Sequence, residues 1–207
     1  MTKQADLEAV KAYFTRCIVE HGSNPRGVDW NSVASQEIRF EQLLQVVRPT
    51  APFSILDYGS GYGALAEYIE KKGLAAEYVG YDIVEAAVQL AKEQHKAAKN
   101  RIFLSDEAAL PQVDYVVASG IFNVRGESTF EDWTAYVVQT LTRFNELSSK
   151  GFASNFLTKY SDAERMRKDL YYADPLYLFD YAKRHFSRNV ALLHDYDIYD
   201  FTLVVRK

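Results

Sequence analysis

The stretch "ILDYGSGYGALAEYI", residues 55–69, constrains this chain more than any other. An apolar run ends at Asp57, glycines stand at 59, 61 and 63, and a helix-like pattern follows. Glycine at every second place removes side chains where something must lie against the backbone, and a helix start supplies N–H groups that can meet an acceptor. The spacing predicts a strand, a bare loop and a helix, in that order, forming the floor under a ligand.

The rest of the chain repeats this alternation. Runs rich in β-branched or aromatic residues stand at "FSILDY", "EYVGYDI", "RIFLS", "VDYVVAS" and "GFASNFL", with helix patterns between them. That order predicts an α/β fold with a mostly parallel sheet covered on both faces. Two helices, over 3–20 and 32–47, precede the first strand, the second carrying Phe40, Leu43, Leu44 and Val47 at i, i+3, i+4 and i+7. Near the C-terminus, strand-like runs flank "DYDIYD" closely enough to form a hairpin, which makes one strand antiparallel to the rest. With no repeat or linker, residues 1–207 read as a single domain. Residues 1–50 are expected to form a helical lid, and 51–207 a core with an insertion at 159–175.

Composition narrows the function. Of 207 residues, 48% are hydrophobic and 25% charged, within the globular range. A net charge of −4 and no Lys/Arg cluster argue against nucleic acid as the partner, because phosphate neutralisation dominates such affinity. The longest apolar runs fall short of a bilayer span and "MTKQADLEAVK" lacks an apolar signal centre, so a cytoplasmic protein without membrane contact is expected. The single cysteine, Cys17, allows no intramolecular disulfide and makes a structural zinc cluster unexpected; no metal site is assigned. It shares a helical stripe with Leu7, Val10, Phe14 and Ile18, which points to buried packing.

Gly59, Gly61 and Ala64 also satisfy G-x-G-x-x-[GA], the dinucleotide fingerprint, with an acid at about the expected interval. A nicotinamide-dependent oxidoreductase is therefore one reading. The pattern D-x-G-x-G-x-G set by Asp57, Gly59, Gly61 and Gly63, with the expected antiparallel last strand, resembles instead the class I S-adenosylmethionine-dependent methyltransferases. The resemblance covers about residues 36–207 and is densest from 53 to 125. It implies a Rossmann-like, doubly wound sheet of seven strands in the order 3-2-1-4-5-7-6, the last antiparallel.

The same resemblance implies site residues. Asp57, Gly59, Gly61 and Gly63 shape the methionine side of S-adenosylmethionine. Asp82, nineteen residues after Gly63 in "YVGYDIVEAAVQLAK", holds the ribose hydroxyls, with Ile83 flanking the adenine and Asp106 near its amine. A competing reading makes Asp82 a cap for the helix that follows. The backbone at Ser119 and Gly120 meets the methionine ammonium. Arg39, three residues after Gln36, is a candidate for the methionine carboxylate or an exposed helix charge, and Trp30 could close over the cofactor.

Methyl transfer from a sulfonium is an in-line displacement, so the protein mainly aligns the reactants and excludes water. No catalytic residue is assigned; His194, Asn123 and Tyr172 are the candidates for a base, while His95 and His185 read as surface residues. The D/N-P-P-Y/F motif of amino-group nucleic-acid methyltransferases is replaced by "SGIF", and the acid and asparagine cluster of the metal-dependent catechol type is not seen. The expected reaction is methylation of an oxygen or nitrogen on a small molecule, leaving S-adenosylhomocysteine. A non-catalytic cofactor-binding protein is the other alternative.

Overall fold

In the computed structural model of the protein, residues 5–48 and 52–207 are described. The parts of the expectations above that fall on residues 1–4 and 49–51 lie outside them. Helix α1 (Leu7–His21) is followed by a 3-10 turn at Pro25–Val28 and by α2 (Val33–Leu43), which tightens into a second 3-10 turn at Leu44–Val46. Strand β1 (Phe53–Tyr58) leads through the glycine loop into α3 (Ala64–Lys71), then β2 (Ala76–Tyr81), α4 (Glu85–Gln94) and β3 (Arg101–Leu104). Next come β4 (Val113–Ala118), α5 (Phe130–Leu147), β5 (Ser148–Thr158), the two-residue β6 (Tyr172–Ala173), α6 (Pro175–His185), β7 (Asn189–Leu193) and β8 (Asp200–Arg206).

The strands form one sheet in the order β3-β2-β1-β4-β5-β8-β7, with β6 paired to the end of β5. Setting β6 aside, this is the order 3-2-1-4-5-7-6, and β8 runs antiparallel to both neighbours. Alternation along β1 explains the double winding. Ile55 packs under α2, α3 and α4 with Phe40, Leu43, Leu65 and Val88, while Leu56 packs on the opposite face with Trp133, Phe144 and Phe152. On that second face, Phe122, Phe156 and Phe201 stack at 5.1 and 5.2 Å between centroids.

Two sequence expectations are corrected. Helix patterns were expected between all strands, but β3 and β4 are joined by residues 105–112, which hold only a 3-10 turn at Glu107–Ala109 before Pro111. Eight residues are too few for a crossover helix, and Pro111 cannot sit in a helix interior. His95, expected at the surface, is 7% exposed at the end of α4. Its ring stacks on Phe103 at 5.2 Å, and Nδ1 lies 2.8 Å from an Arg101 guanidinium nitrogen, which can only donate. Nδ1 is therefore the acceptor, and burial beside Arg101 pushes the imidazole pKa down.

Candidate active site

The sheet's strand tips carry the site, where the order reverses between β1 and β4. Gly59, Gly61 and Gly63 adopt φ of 85°, 55° and 88°, backbone that side chains disfavour, and each is closely overlaid. A Cβ at Gly59 would run into Ile121; at Gly61 it would lie 2.6 Å from Val28 Cγ1, and at Gly63 2.6 Å from His95 Nε2. The loop's N–H groups are largely used inside the protein. Those of Gly59 and Ser60 donate to the Tyr81 carbonyl at 2.7 and 2.9 Å, Gly63 N–H donates to Ser60 O, and Gly61 N–H donates to Asp82 Oδ2 at 2.8 Å. The loop thus offers bare Cα surface more than donors, contrary to the expectation of free N–H groups.

Asp82 takes up the capping role that the competing sequence reading gives it. Its Oδ1 accepts from Val84 N–H at 2.8 Å and its Oδ2 from Gly61 N–H, so it caps the approach to α4 and pins the glycine loop at once. A carboxylate has about four acceptor positions, so each oxygen retains one for a hydroxyl. Burial raises its pKa, and the two backbone N–H groups pull it back. Asp57, 3% exposed, accepts from Tyr78 Oη at 2.6 Å and lines the same cavity.

That cavity, of about 110 Å³, lies between the glycine loop and the N-terminal segments. Leu7, Val10, Phe14 and Ile18 of α1 form its roof, Val28 and Trp30 one side, and Ile83, Ser119, Gly120 and Ile121 another. A larger groove of about 650 Å³ adjoins it along α5, sharing Tyr58, Tyr81, Ile83 and Tyr136. Residues 105–112, which join β3 to β4, contribute only the 3-10 turn at Glu107–Ala109 there, and Glu107 lines the groove.

The remaining expected residues are placed as follows. Ile83 lines both spaces. Asp106 is exposed and caps the Glu107–Ala109 turn through Ala108 N–H at 2.9 Å, whereas Glu107 lines the larger groove. Ser119 Oγ is buried with no hydrogen-bond partner, and so is Asn123 Oδ1. Gly120 N–H is taken by Asn155 Oδ1 at 3.0 Å. Arg39 is not an exposed helix charge: it is 6% exposed and bound through two nitrogens to Asp200, at 2.8 and 2.7 Å. Tyr172 Oη accepts from Arg167 N–H, and His194 is an exposed ring near Tyr160 and Phe201. Cys17 is half-buried instead of buried, and burial raises its thiol pKa. Among the described residues no group of three His, Cys, Asp or Glu side chains could hold a metal, and no helix is long and apolar enough to cross a membrane. Gln36, 4% exposed and bonded by Tyr62 Oη at 3.1 Å, and Asn155, which accepts from Gly120 N–H, border the site without any local sequence pattern that marks them for it.

Comparison with known proteins decides the family. Residues 55–143 match the family described as "Methyltransferase domain". The chain is 46% identical over 164 residues to the methyltransferase-named protein Rv1506c of Mycobacterium tuberculosis, an alignment covering 79% of this chain and 99% of that protein. The chain belongs to the class I S-adenosylmethionine-dependent methyltransferases.

Solved methyltransferase structures share the fold. The N-methyltransferase NodS of Bradyrhizobium japonicum, in complex with S-adenosylhomocysteine, superposes with a TM-score of 0.65 at 12% identity, over 95% of this chain and 97% of that one. A SAM-dependent methyltransferase of Aquifex aeolicus gives 0.60 at 17% identity over 85% and 94%. The CurJ carbon methyltransferase gives 0.62 at 14% identity over 96% and 67%.

S-adenosylmethionine is the methyltransferase's cofactor, and the residues present fit it. Asp82 keeps acceptor positions for a diol, Asp57 gives an anionic wall, and Ser119 Oγ is an orphan polar atom in the lining. A dinucleotide fits poorly, because the loop donors a pyrophosphate needs are spent on Tyr81 and Asp82 and two carboxylates face the same space.

Proposed function

We propose that the methyltransferase acts on an oxygen or nitrogen of a small, uncharged and largely apolar molecule, held between the N-terminal cap and the tip of β4. One observation carries this reading: among the described residues lining the cavity, the only charged side chains are Asp57 and Asp82, both on the cofactor's side, while α1 supplies an apolar roof. An acceptor bearing its own charge would be desolvated there without a partner. The orphan Ser119 Oγ in the lining favours an acceptor that brings a proton on O or N, since a carbon nucleophile leaves it unsatisfied. The fold alone does not choose the atom, because NodS and CurJ share it at similar scores. The net charge of −4 speaks against a nucleic-acid acceptor.

In this reading Asp57 faces the methionine ammonium, Asp82 holds the ribose, Ile83 flanks the adenine, and the bare glycines let the amino-acid tail lie on the main chain. S-adenosylmethionine supplies an electrophilic methyl carbon on a sulfonium whose charge is lost as the methyl departs. The protein's part is alignment and exclusion of water, performed by the roof of α1 and by Trp30. The test is incubation with labelled cofactor and a panel of neutral alcohols and amines beside carboxylates, with the product bond located by mass spectrometry. An O- or N-methyl product from the neutral set is expected; a C-methyl product, or turnover confined to charged acceptors, contradicts the proposal.

Asp57 supplies a pH dependence. Burial pushes its carboxyl up to about 7, opposed by the Tyr78 hydrogen bond and aided by Asp82. A group whose folded pKa lies above its unfolded value holds an extra proton in the folded state between the two. Its contribution to stability therefore falls as pH rises from about 4 to about 7. An ammonium beside the carboxylate favours the ionised form, so cofactor affinity is expected to rise through neutrality and level off above about pH 8. Titration calorimetry with S-adenosylhomocysteine across that range checks this, and in Asp57→Asn the slope near pH 7 should vanish.

A further inference from the structure

We propose that Trp30, Arg39, Asp200, Asn155 and Gly120 form one closed ring that locks the N-terminal cap onto the tip of β4, making Asp200 and Asn155 positioning residues for cofactor binding although neither lines the cavity.

The ring can be followed atom by atom. The Arg39 guanidinium lies 4.1 Å from the centre of the Trp30 ring. Its Nε and one terminal nitrogen grip Asp200, and the other terminal nitrogen donates to Ser35 O at 2.7 Å and Ser35 Oγ at 2.6 Å. Asp200 Oδ2 also accepts from Asn155 Nδ2 at 2.6 Å, and Asn155 Oδ1 accepts the Gly120 N–H at 3.0 Å. Gly120, at φ 74°, returns the ring to its start, because a Cβ there would collide with the edge of Trp30.

Five separate segments contribute: the turn before α2, α2 itself, the start of β8, β5 and the tip of β4. Fold stability alone does not call for this arrangement, since buried ion pairs are often replaceable by apolar groups without loss. Here the pair ends at both sides on the cavity lining, at Trp30 of the cap and Gly120 of the floor. Arg39 presents a flat face that holds Trp30 in plane, and Asn155 fixes the height of the Gly120 backbone against which Trp30 sits. Opening the cap unstacks Trp30 and releases the β4 tip together; seating it fixes both.

Calorimetry with S-adenosylhomocysteine on the full chain tests the ring. Trp30→Ala and Asn155→Ala are each expected to weaken binding about tenfold, and Trp30→Phe about threefold or less because a ring still covers Arg39. The double variant Trp30→Ala/Asn155→Ala should bind little more weakly than either single, since one break already frees the cap. Losses that multiply in the double variant, or single variants within about twofold of wild type, overturn the ring. Asn155 is fully buried, so if Asn155→Ala does not fold by circular dichroism, Arg39→Lys takes its place, keeping the charge opposite Asp200 while losing the plane beneath Trp30. A loss of about tenfold supports the ring and unchanged affinity overturns it. The inference rests on the cofactor assignment: a wild-type chain that does not bind S-adenosylhomocysteine refutes that assignment, whereas wild-type binding with indifferent variants refutes the ring alone.

Discussion

Asp82→Ala is expected to lower affinity for S-adenosylhomocysteine by roughly 100-fold or more while leaving the chain folded. Two charge-assisted hydrogen bonds to the ribose are lost, each on the order of 1.5–3 kcal/mol. The substitution also strips the acceptors from Gly61 N–H and Val84 N–H, so the glycine loop loses its anchor at the same time. Asp82→Asn should do almost as badly. Both oxygens already receive a backbone N–H, so an amide must turn its NH2 toward one of those donors. Calorimetry and a thermal melt read the two roles separately: a lower melting temperature with unchanged affinity would reduce Asp82 to a helix cap.

Arg39→Met is expected to destabilise the fold by about 3–5 kcal/mol, the range for breaking a buried pair from one side. Asp200 is 1% exposed and would keep only Asn155 as a donor within the ring. Replacing both partners, in Arg39→Met/Asp200→Leu, should recover most of the loss because no charge remains buried. Urea unfolding of the single and double variants is the measurement. A single variant within about 1 kcal/mol of wild type would show that the pair is not needed to hold the fold.

These two residues show what the sequence could carry. Asp57, Asp82 and the three glycines lie within 26 residues, each at a strand tip whose apolar pattern marks it, so their grouping is local and legible. The sheet order was legible only through the family resemblance that the same local motif, D-x-G-x-G-x-G, carries, while the alternation of strand and helix by itself points no further than a mostly parallel sheet. Arg39 and Asp200 are separated by 161 positions, and nothing near either predicts the other. Their pairing depends on α2 crossing the sheet beside β5 and β8, a tertiary fact with no local pattern. His95 was misplaced for a related reason. A polar residue at the end of a helix usually meets water, but here the loop after α4 turns it onto Phe103 beneath Gly63. The missing helix between β3 and β4 was open to inspection, because "SDEAALPQ" is short and contains a proline. The acceptor's contacts carry no comparable signal, since an apolar roof reads like any amphipathic helix packed on a core.

The central claim is tested most directly by a crystal structure of the S-adenosylhomocysteine complex. The account predicts both ribose hydroxyls within hydrogen-bond distance of the Asp82 carboxylate, and the homocysteine tail lying across Gly59 and Gly61 beneath the roof of α1. A nucleoside bound outside this cleft, or an Asp82 carboxylate turned away from the sugar, would contradict it.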